Sequence, residues 1–422
     1  MDEPPAASAG LETLISSSRN ATIGLVTFAA SKTGAGVPGS CGRALAGFLL
    51  SGFLMALLGA ILPAWGYHRD PPDFVAVGNY FLSFAAGLAG ATVFARGNLA
   101  RRGLRFQLVA ACALSAAALL YLALVGPPPA SAWWRAAGLL ALGASAGMLN
   151  GGLFHALSRD YSEDAAGTVN RGGIWYGAGC VTAALVVEGA FYAPNSVILG
   201  VMAMVPILFG VIYARQTYSA CPEPPLPPVR EAVQDFRSLG AILFALLLFV
   251  QFGNEWSIAG WLPLFLCHRV QLSPQGALFA LALYWLFLMT GRLGAVALLP
   301  RVRHGRLLFG SVLAASFGLF VLNYTDNRFG AGTGVFFLGA GYAVIYPLVA
   351  EAIGRRFPYY HPGFFNGIFS LALLGGLLAP ATLGYAAARF GVGVVLGIPL
   401  MGTFLVMGLL LLIWLESKVT GK

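Results

Sequence analysis

The sequence predicts an all-α membrane protein with twelve transmembrane helices arranged as two six-helix halves. Three observations support this fold class: the apolar composition, a series of apolar segments long enough to span a bilayer, and an uneven distribution of arginine and lysine. Of the 422 residues, 58% are apolar and 10% are charged, and the mean hydropathy is +0.78. Because soluble domains carry about 25% charged residues, the composition excludes a soluble fold.

Composition also limits the functional classes. The net charge of +9 does not indicate a nucleic-acid partner, because most of the basic residues occupy short connections between apolar segments. The five cysteines form no CxxC pair, so we expect no disulfide framework, no metal site and no cofactor. No Ser/His/Asp set or phosphate-binding loop is present, and the sequence does not predict an enzyme. The acidic start lacks the basic region of a signal peptide, so we expect the helices themselves to retain the chain in the membrane.

The N-terminal half follows a short tail. Residues 1–42 are small, polar and rich in Pro, Gly and Ser, which predicts a flexible cytoplasmic segment. Residues 43–215 then contain six apolar segments of about 20 residues, the length that spans a bilayer, joined by short connections. The six predicted spans are 44–66, 74–95, 105–126, 133–156, 171–192 and 195–215.

The C-terminal half repeats this organisation. Residues 216–237 are polar and proline-rich and predict a central cytoplasmic loop that divides the chain into six helices plus six. Residues 238–415 form the second half, and residues 416–422 a short cytoplasmic tail. The remaining predicted spans are 238–267, 274–299, 306–323, 330–352, 364–387 and 391–415.

The basic residues predict the orientation of these helices. Twelve spans place both termini on one side, and that side receives 20 of the 25 Lys and Arg residues. The opposite side receives only Arg69, Arg135, Arg269, Arg328 and Arg389. The side rich in Lys and Arg is cytoplasmic in membrane proteins, so we expect both termini in the cytoplasm. An error of one helix would mix the two groups, and their separation therefore supports twelve spans.

The two halves also contain a repeated feature. The connection between helices 2 and 3, Gly97–Phe106, and that between helices 8 and 9, Arg301–Phe309, are both basic with a central glycine. They occupy the same place within each six-helix half. Parallel halves related by an axis along the membrane normal are typical of one large transporter architecture.

This organisation resembles the major facilitator superfamily over residues 43–415. The Gly97–Phe106 segment is similar to the family's motif between helices 2 and 3, except that Arg101 stands where the family has an aspartate. Residues 254–263 in helix 7 and 52–63 in helix 1 resemble the fucose permease-like sugar:proton symporters. The resemblance implies uptake of a monosaccharide together with a proton. Some members of that family carry coupling carboxylates in helices 1 and 4, and neither helix contains Asp or Glu here.

Helix 7 contains the strongest candidate for a binding site. Gln251, Asn254 and Glu255 interrupt an apolar segment, and Gln251 and Glu255 share one helix face because they are four residues apart. A carboxylate at membrane depth costs about 2.5–3.5 kcal/mol on insertion scales, so it is expected to face a polar cavity or a partner. The alternative is a glutamate that hydrogen-bonds to a neighbouring helix for packing alone. We expect Glu255 to bind substrate and to couple transport to protons.

The depth of other side chains extends this site. With a rise of about 1.5 Å per residue, Glu255 lies about 18 Å from the outer end of helix 7. Tyr284 and Tyr342 lie at roughly the same level, where transporters of this architecture bind substrate. Because amides and carboxylates bind sugar hydroxyls and aromatic faces cover sugar C–H groups, we predict a substrate site. Its residues are Gln251, Asn254, Glu255, Trp256, Tyr284, Tyr342 and, from helix 4, Asn150. Each tyrosine could instead fill space between helices.

The sequence also suggests a gate near the cytoplasmic face. Arg292 lies roughly 28 Å from the outer end of helix 8 and could pair with Glu351 or with Asn366. Alternatively, it extends to the membrane surface as arginines at helix ends do. The basic pair Arg101 and Arg102 completes the predicted gate, by resemblance to the family's motif.

Together these observations predict a secondary active transporter for a small polar solute, most simply a sugar, that works by alternating access as a monomer in the plasma (bacterial inner) membrane. Its partners would be the solute, protons and the lipid bilayer. Two alternatives remain: a drug or metabolite exporter of the same fold, and a receptor or scaffold that uses a transporter fold without transport.

Overall fold

The computed structural model describes residues 40–125, 131–157, 165–216, 218, 238–299, 301–357 and 367–420. The predicted N-terminal tail up to residue 39, nearly all of the central loop and Asn366 lie outside these residues. Twelve α-helices and no strands occur in the described part of the chain, as the sequence predicted. They are α1 Ser40–Ala64, α2 and α3 within Phe74–Val125, α4 Ala132–Ala156, α5 Ala165–Gly189, α6 Asn195–Ala214, α7 Leu239–Arg269, α8 Pro274–Leu298, α9 His304–Tyr324, α10 Arg328–Arg356, α11 Gly367–Phe390 and α12 Val394–Thr420.

Glycine separates α2 from α3. The 52-residue helical stretch Phe74–Val125 is broken at Gly103, where φ is 78° and ψ is 168°. This left-handed backbone region disfavours residues with a Cβ atom. Residues 74–102 therefore form α2 and residues 104–125 form α3. The sequence placed the end of α2 at residue 95, but most of the basic connection continues the helix.

Side-chain caps define several other helix starts. Ser238 accepts a hydrogen bond from the backbone N–H of Ala241 at the start of α7. Ser273 caps α8, whose first residue is Pro274. Short polar side chains at this position satisfy backbone N–H groups that lack a partner within the helix, and proline suits the first turn because it has no N–H. The connections between the spans thus stop and restart the helices sharply.

Eleven helices of the described chain are long and apolar enough to cross a bilayer. The exception is α5, which has 25 residues but includes Asn170, Arg171 and Glu188 together with several glycines. It still packs within the bundle of helices, because close approaches to α1 bury its apolar face. At the other end of the chain, α12 continues to Thr420 beyond the predicted end at residue 415, and Glu416 in this extension pairs with Arg356 of α10.

Helix pairing repeats with a period of six helices. In the N-terminal half α1 packs against α5, α2 against α4, and α3 against α6; in the C-terminal half α7 packs against α11, α8 against α10, and α9 against α12. Glycines allow these contacts: a Cβ atom at Gly52 would lie 1.9 Å from the backbone oxygen of Tyr176, and one at Gly375 would lie 2.1 Å from that of Phe249. Any larger side chain would separate the helices.

Pairs of helices, one from each half, also form the contact between the two halves. Helix α5 of the N-terminal half packs against α8, and α11 of the C-terminal half packs against α2, while α1 faces α7 across the centre. The α2–α11 contact is closest at the glycine pair Gly78 and Gly384. The space enclosed by α1, α2, α5, α7, α8 and α11 is where both halves contribute side chains.

Candidate functional site

A cavity lies between the two halves at this centre, and we call it the central cavity. Its volume is about 40 Å³, room for a few water molecules, each of which needs at least ~10–15 Å³. The lining residues come from all six central helices and include Met55, Phe84, Tyr176, Trp256, Trp285 and Leu377. A sugar-sized molecule fits only after the halves separate, so the structure represents a closed form of the cavity.

Glu255 is the acidic side chain of this region. It is 8% exposed, and within the described residues it accepts no hydrogen bond and forms no ion pair. The Arg292 guanidinium is near enough to act electrostatically on the Glu255 carboxylate, although the two groups are not in direct contact. A carboxylate that is buried without a hydrogen-bond donor is costly in protein interiors.

The Arg292 guanidinium lies nearer to Glu255 than the position of residue 292 along α8 suggested. Side chains tilt toward the N-terminus of their helix, and the N-terminus of α8 is at the predicted outer end. The guanidinium consequently extends toward the level of Glu255 and lies against α5, where a Cβ atom at Gly173 would be 2.1 Å from its Nη1. The predicted pair with Glu351 is not formed: Glu351 pairs with Arg355 and lies 3.6 Å from His304.

Several buried polar atoms around Glu255 have no hydrogen-bond partner among the described residues. They are both amide atoms of Gln251, the Tyr284 hydroxyl, the Trp285 indole N–H and the Arg292 Nε–H. Gln251 and Tyr284 are 0% exposed, so bulk water does not satisfy them in this conformation. Glu255 and Arg292 are both close enough to act electrostatically on the Tyr284 hydroxyl. We call Gln251, Glu255, Tyr284, Trp285 and Arg292 the polar cluster.

Asn254 and Tyr342, both predicted to contact substrate, form hydrogen bonds with another side chain in this conformation. The Asn254 amide donates to Thr403 Oγ1 at 3.4 Å, and the Tyr342 hydroxyl lies 2.9 Å from the same oxygen. Thr403 in turn donates to the Pro399 carbonyl at 2.8 Å. This buried network joins α7, α10 and α12, which is the packing alternative that the sequence left open. Neither side chain lines the central cavity in this conformation.

Asn150 and Trp256 have different surroundings. The Asn150 amide oxygen accepts a hydrogen bond of 2.6 Å from Ser51, which joins α4 to α1. Trp256 lines the central cavity, and its ring lies against Gly376 of α11, where a Cβ atom would be 3.1 Å from Cδ2. Trp256 thus faces the central cavity, whereas Asn150 joins two helices of the N-terminal half.

The predicted site residues did not include three side chains that the structure adds. Tyr176 lines the cavity and packs edge-on against Trp285, with ring centroids 6.0 Å apart. Met55 also lines it, and Thr403 organises Asn254 and Tyr342. The sequence offered signals for two of them: Tyr176 lies with Asn170, Arg171 and Trp175 at the polar start of α5, and Met55 lies in residues 52–63, which resemble the sugar symporters. Thr403 occupies an apolar stretch without any distinguishing pattern.

Arg101 and Arg102, the remaining gate residues, are exposed at the junction of α2 and α3. Arg102 lies over the Phe106 ring at 4.8 Å. Neither arginine forms an ion pair within the described residues. Both side chains are exposed on the helix that continues past residue 95.

The predicted outer end of the central cavity is closed. Here a Cβ atom at Gly59 of α1 would lie 2.4 Å from the Ala259 carbonyl of α7, and Phe81 stacks on Trp261 with centroids 5.8 Å apart. Beyond them the His268 Nε2 lies 3.0 Å from the Tyr67 carbonyl oxygen, and Nδ1 lies 3.6 Å from Asp70. These contacts all cross between the halves, so they must break before a solute can enter from that side.

The loop that carries Tyr67 and Asp70 is itself well packed. Arg135 donates to the hydroxyls of Tyr67 and Tyr80 at 3.1 and 3.3 Å. Burial and the hydrogen bond to Tyr80 raise the pKa of Tyr67 above its ordinary value, so the phenol stays neutral. Burial likewise lowers the pKa of His68, which therefore adds no charge at neutral pH. The outer closure thus depends on neutral hydrogen bonds and aromatic packing around one buried guanidinium.

Within the described part of the chain, no group of three or more His, Cys, Asp or Glu side chains is close enough to hold an ion. Cys180 donates instead to the Gly52 carbonyl at 3.3 Å and belongs to the contact between α5 and α1.

Comparisons with known proteins agree with this architecture. No family model matches the chain. An uncharacterised MFS-type transporter of Yersinia pestis is 24% identical over 159 residues, which is 37% of this chain and 41% of that protein. The match thus spans less than half of the relative's length.

Solved structures extend the likeness to nearly the whole chain. The D-xylose–proton symporter superposes with a TM-score of 0.69 at 14% identity, covering 87% of this chain and 96% of the other. The nucleoside transporter NupG gives a TM-score of 0.65 at 13% identity, covering 90% and 99%. With twelve helices in two matching halves around a central cavity, the chain has the fold of the major facilitator transporters.

Proposed function

We propose that this chain is a secondary active transporter that moves a small hydroxylated solute, a monosaccharide or a molecule containing one, by alternating access. The observation that carries the proposal is the polar cluster. Glu255, Gln251, Tyr284, Trp285 and Arg292 lie between the halves, yet none of them forms a hydrogen bond with the described residues. Intramembrane ionisable groups mark substrate or ion pathways far more often than simple packing.

The chemistry of the polar cluster suits hydroxyl groups. The Glu255 carboxylate accepts hydrogen bonds, the Arg292 guanidinium and Trp285 indole donate them, and the Gln251 amide does both. A sugar hydroxyl is also both donor and acceptor, so one ring can satisfy several of these groups. The flat faces of Trp256 and Trp285 cover the C–H surface of such a ring. Two solved structures that share this fold are named as a D-xylose–proton symporter and a nucleoside transporter, and xylose and nucleosides are molecules of this chemical kind.

Alternating access follows from the closed cavity. Its ~40 Å³ is too small for a monosaccharide, and the outer contacts of Gly59, Trp261 and His268 block that entrance. Rocking of one half against the other about the central cavity would open one end at a time. Contacts between α1 and α7, and between α2 and α11, would then break and reform in each cycle.

Proton coupling is assigned to Glu255. It is the acidic residue nearest the middle of the predicted spans, and α1 and α4 carry none. A carboxylate exposed first to one side and then to the other can exchange a proton in each cycle. Its protonated form donates to the solute and its ionised form attracts Arg292, so solute and proton occupancy become linked.

The test is transport by purified protein in proteoliposomes with an inward proton gradient, using labelled sugars. The wild type should accumulate its solute above equilibrium. Glu255→Gln should abolish accumulation but retain exchange of labelled for unlabelled solute, because the amide keeps the shape and cannot titrate. Glu188→Gln, at the predicted outer end of α5, is the matched control and should accumulate normally.

Three results would contradict parts of the proposal. Full accumulation by Glu255→Gln would remove Glu255 from coupling. Equilibration by the wild type regardless of the pH gradient would indicate a uniporter. The absence of binding and transport for every sugar and nucleoside tested would reject this substrate class and favour the exporter or receptor alternatives.

A further inference from the structure

One wall of the central cavity, formed by α1 and α2, is apolar throughout. The wall from α1 and α2 consists of Met55, Leu58, Phe81 and Phe84, with Gly59 and Ala85 between them. No side chain in this wall carries a hydroxyl, amide or charged group. We call these six residues the apolar wall.

The polar cluster lies on the C-terminal half, and of its five residues only Trp285 lines the cavity directly. Gln251 and Glu255 of α7, and Tyr284, Trp285 and Arg292 of α8, form the polar cluster described above. Trp285 links the two regions, since its ring lines the cavity while its indole N–H lacks a partner among the described residues. A solute that reaches the polar cluster after the halves separate would therefore meet donors and acceptors on α7 and α8, with hydrocarbon on the α1–α2 side.

Glycines let aromatic rings lie flat along the cavity. A Cβ atom at Gly260 would be 2.5 Å from Cζ of Phe81, and one at Gly376 would be 3.1 Å from the Trp256 ring. Either Cβ would push a ring out of place. Both rings therefore line the cavity next to helix backbone, Phe81 being stacked on Trp261, and aromatic rings pack favourably against another planar ring.

A fully hydroxylated sugar fits such a cavity poorly. Hydroxyls placed against the apolar wall lose hydrogen bonds to water and gain none in return. A hydroxylated ring joined to an apolar planar group satisfies both sides at once. The area of the planar group that leaves water then adds to affinity, and even one methylene group in an apolar pocket is worth about tenfold.

We infer that the solute is a sugar joined to an apolar planar group, with the sugar on the polar cluster and the planar group on the apolar wall. An aryl glycoside and a nucleoside are two sources of this chemistry. The inference rests on the proposed function and narrows its substrate class. It concerns the N-terminal wall, which the assignment of the polar cluster does not involve.

The test compares each free sugar with its planar derivative. Binding to the purified protein is measured by isothermal titration for D-glucose, D-xylose and D-ribose, for phenyl β-glucoside and phenyl β-xyloside, and for uridine. We expect at least one planar derivative to bind at least tenfold more tightly than its parent sugar. The phenyl and uridine arms identify which source of the planar group is preferred.

The remaining outcomes separate this inference from the proposed function. Free sugars that bind as tightly as all their derivatives would overturn the inference and leave the proposed function standing. Absence of binding by all six compounds would overturn both.

A substitution in the apolar wall sharpens the result. Met55→Gln keeps the length of the side chain but introduces an amide, and should reduce the preference for the derivative over its parent sugar at least fivefold. Met55→Leu is the matched control and should keep the preference. Melting temperatures of both variants verify folding, and an unchanged preference in a folded Met55→Gln would show that the planar group does not lie against α1.

Discussion

The two halves share one helix arrangement but treat their buried polar groups differently. In the N-terminal half, Ser115 donates to Ser145 at 2.9 Å, Gln107 donates to the Met148 carbonyl at 2.9 Å, and Ser51 bonds to Asn150. In the C-terminal half, Gln251, Tyr284, Trp285 and Arg292 keep polar atoms without partners around one carboxylate. The N-terminal half therefore uses its polar groups to hold helices together, whereas the C-terminal half leaves a group of them available.

The comparison has a physical basis in the cost of unpaired groups. A buried polar atom without a hydrogen bond costs about 1–3 kcal/mol, and gathering several of them destabilises the C-terminal half. The N-terminal half also has unpartnered atoms, on Trp65, Gln107 and Tyr213, but they are dispersed over separate elements. Concentration around Glu255 is the feature that favours ligand binding over imperfect packing.

We expect the largest effect at Arg292, the half-buried arginine of the polar cluster. Arg292→Gln removes a charged donor that touches no hydrogen-bond partner in the described protein, so we expect folding to be retained. A lost charged hydrogen bond to the solute costs about 1.5–3 kcal/mol, which lowers affinity roughly 10- to 100-fold. Titration of the solute and the melting temperature in detergent measure both effects. A variant that melts early but binds normally would make Arg292 a structural residue.

The buried arginine of the N-terminal half should behave in the opposite way. Arg135, 6% exposed, bonds to the Tyr67 and Tyr80 hydroxyls and lies 5.8 Å from the Trp65 ring centroid. Arg135→Gln should lower the free energy of unfolding by about 2 kcal/mol and change solute affinity less than twofold in the folded fraction. Denaturant titration followed by tryptophan fluorescence measures the first quantity. A selective loss of affinity would instead place part of the site at the outer end.

Substitution of Thr403 tests whether the hydrogen-bonded polar groups of the C-terminal half also contribute to ligand binding. Thr403→Val removes the oxygen shared by Asn254 and Tyr342, and should cost about 1–2 kcal/mol of stability with affinity reduced less than threefold. Trp256→Ala, within the cavity, should reduce affinity at least tenfold with a smaller effect on stability. Parallel losses of affinity in both variants would return Asn254 and Tyr342 to the list of direct contacts.

The smallest effect is expected at the basic junction of α2 and α3. Arg101→Gln and Arg102→Gln should change the free energy of unfolding by less than about 0.5 kcal/mol, as exposed substitutions usually do, and leave solute affinity unchanged.

Cysteine labelling tests the predicted orientation of both halves. Arg101→Cys and Arg303→Cys should react with an impermeant thiol reagent only from the cytoplasm, and Arg328→Cys only from outside. Reaction of Arg303→Cys from outside would contradict the twelve-span orientation.

Much of the fold could be predicted from the sequence because a bilayer imposes strict local rules. A spanning segment must be apolar for about 20 residues and must satisfy its own backbone hydrogen bonds, so composition along the chain already determines the helices. The repeated connections Gly97–Phe106 and Arg301–Phe309 further indicated two related halves. The same rule drew attention to Glu255, because a carboxylate within such a segment is exceptional.

The arrangement of the site was decided only by tertiary structure. Asn254 and Tyr342 both contact Thr403 of α12, a partner that the sequence could not indicate. Arg292 joins the polar cluster because its side chain tilts toward the start of α8, which a count of residues along the helix cannot reveal. Met55 and Tyr176 reach the cavity because glycines bring α1, α5 and α7 close together. Helix formation depends on local hydropathy, whereas partners depend on which helix faces which, and that is settled only when the halves pack.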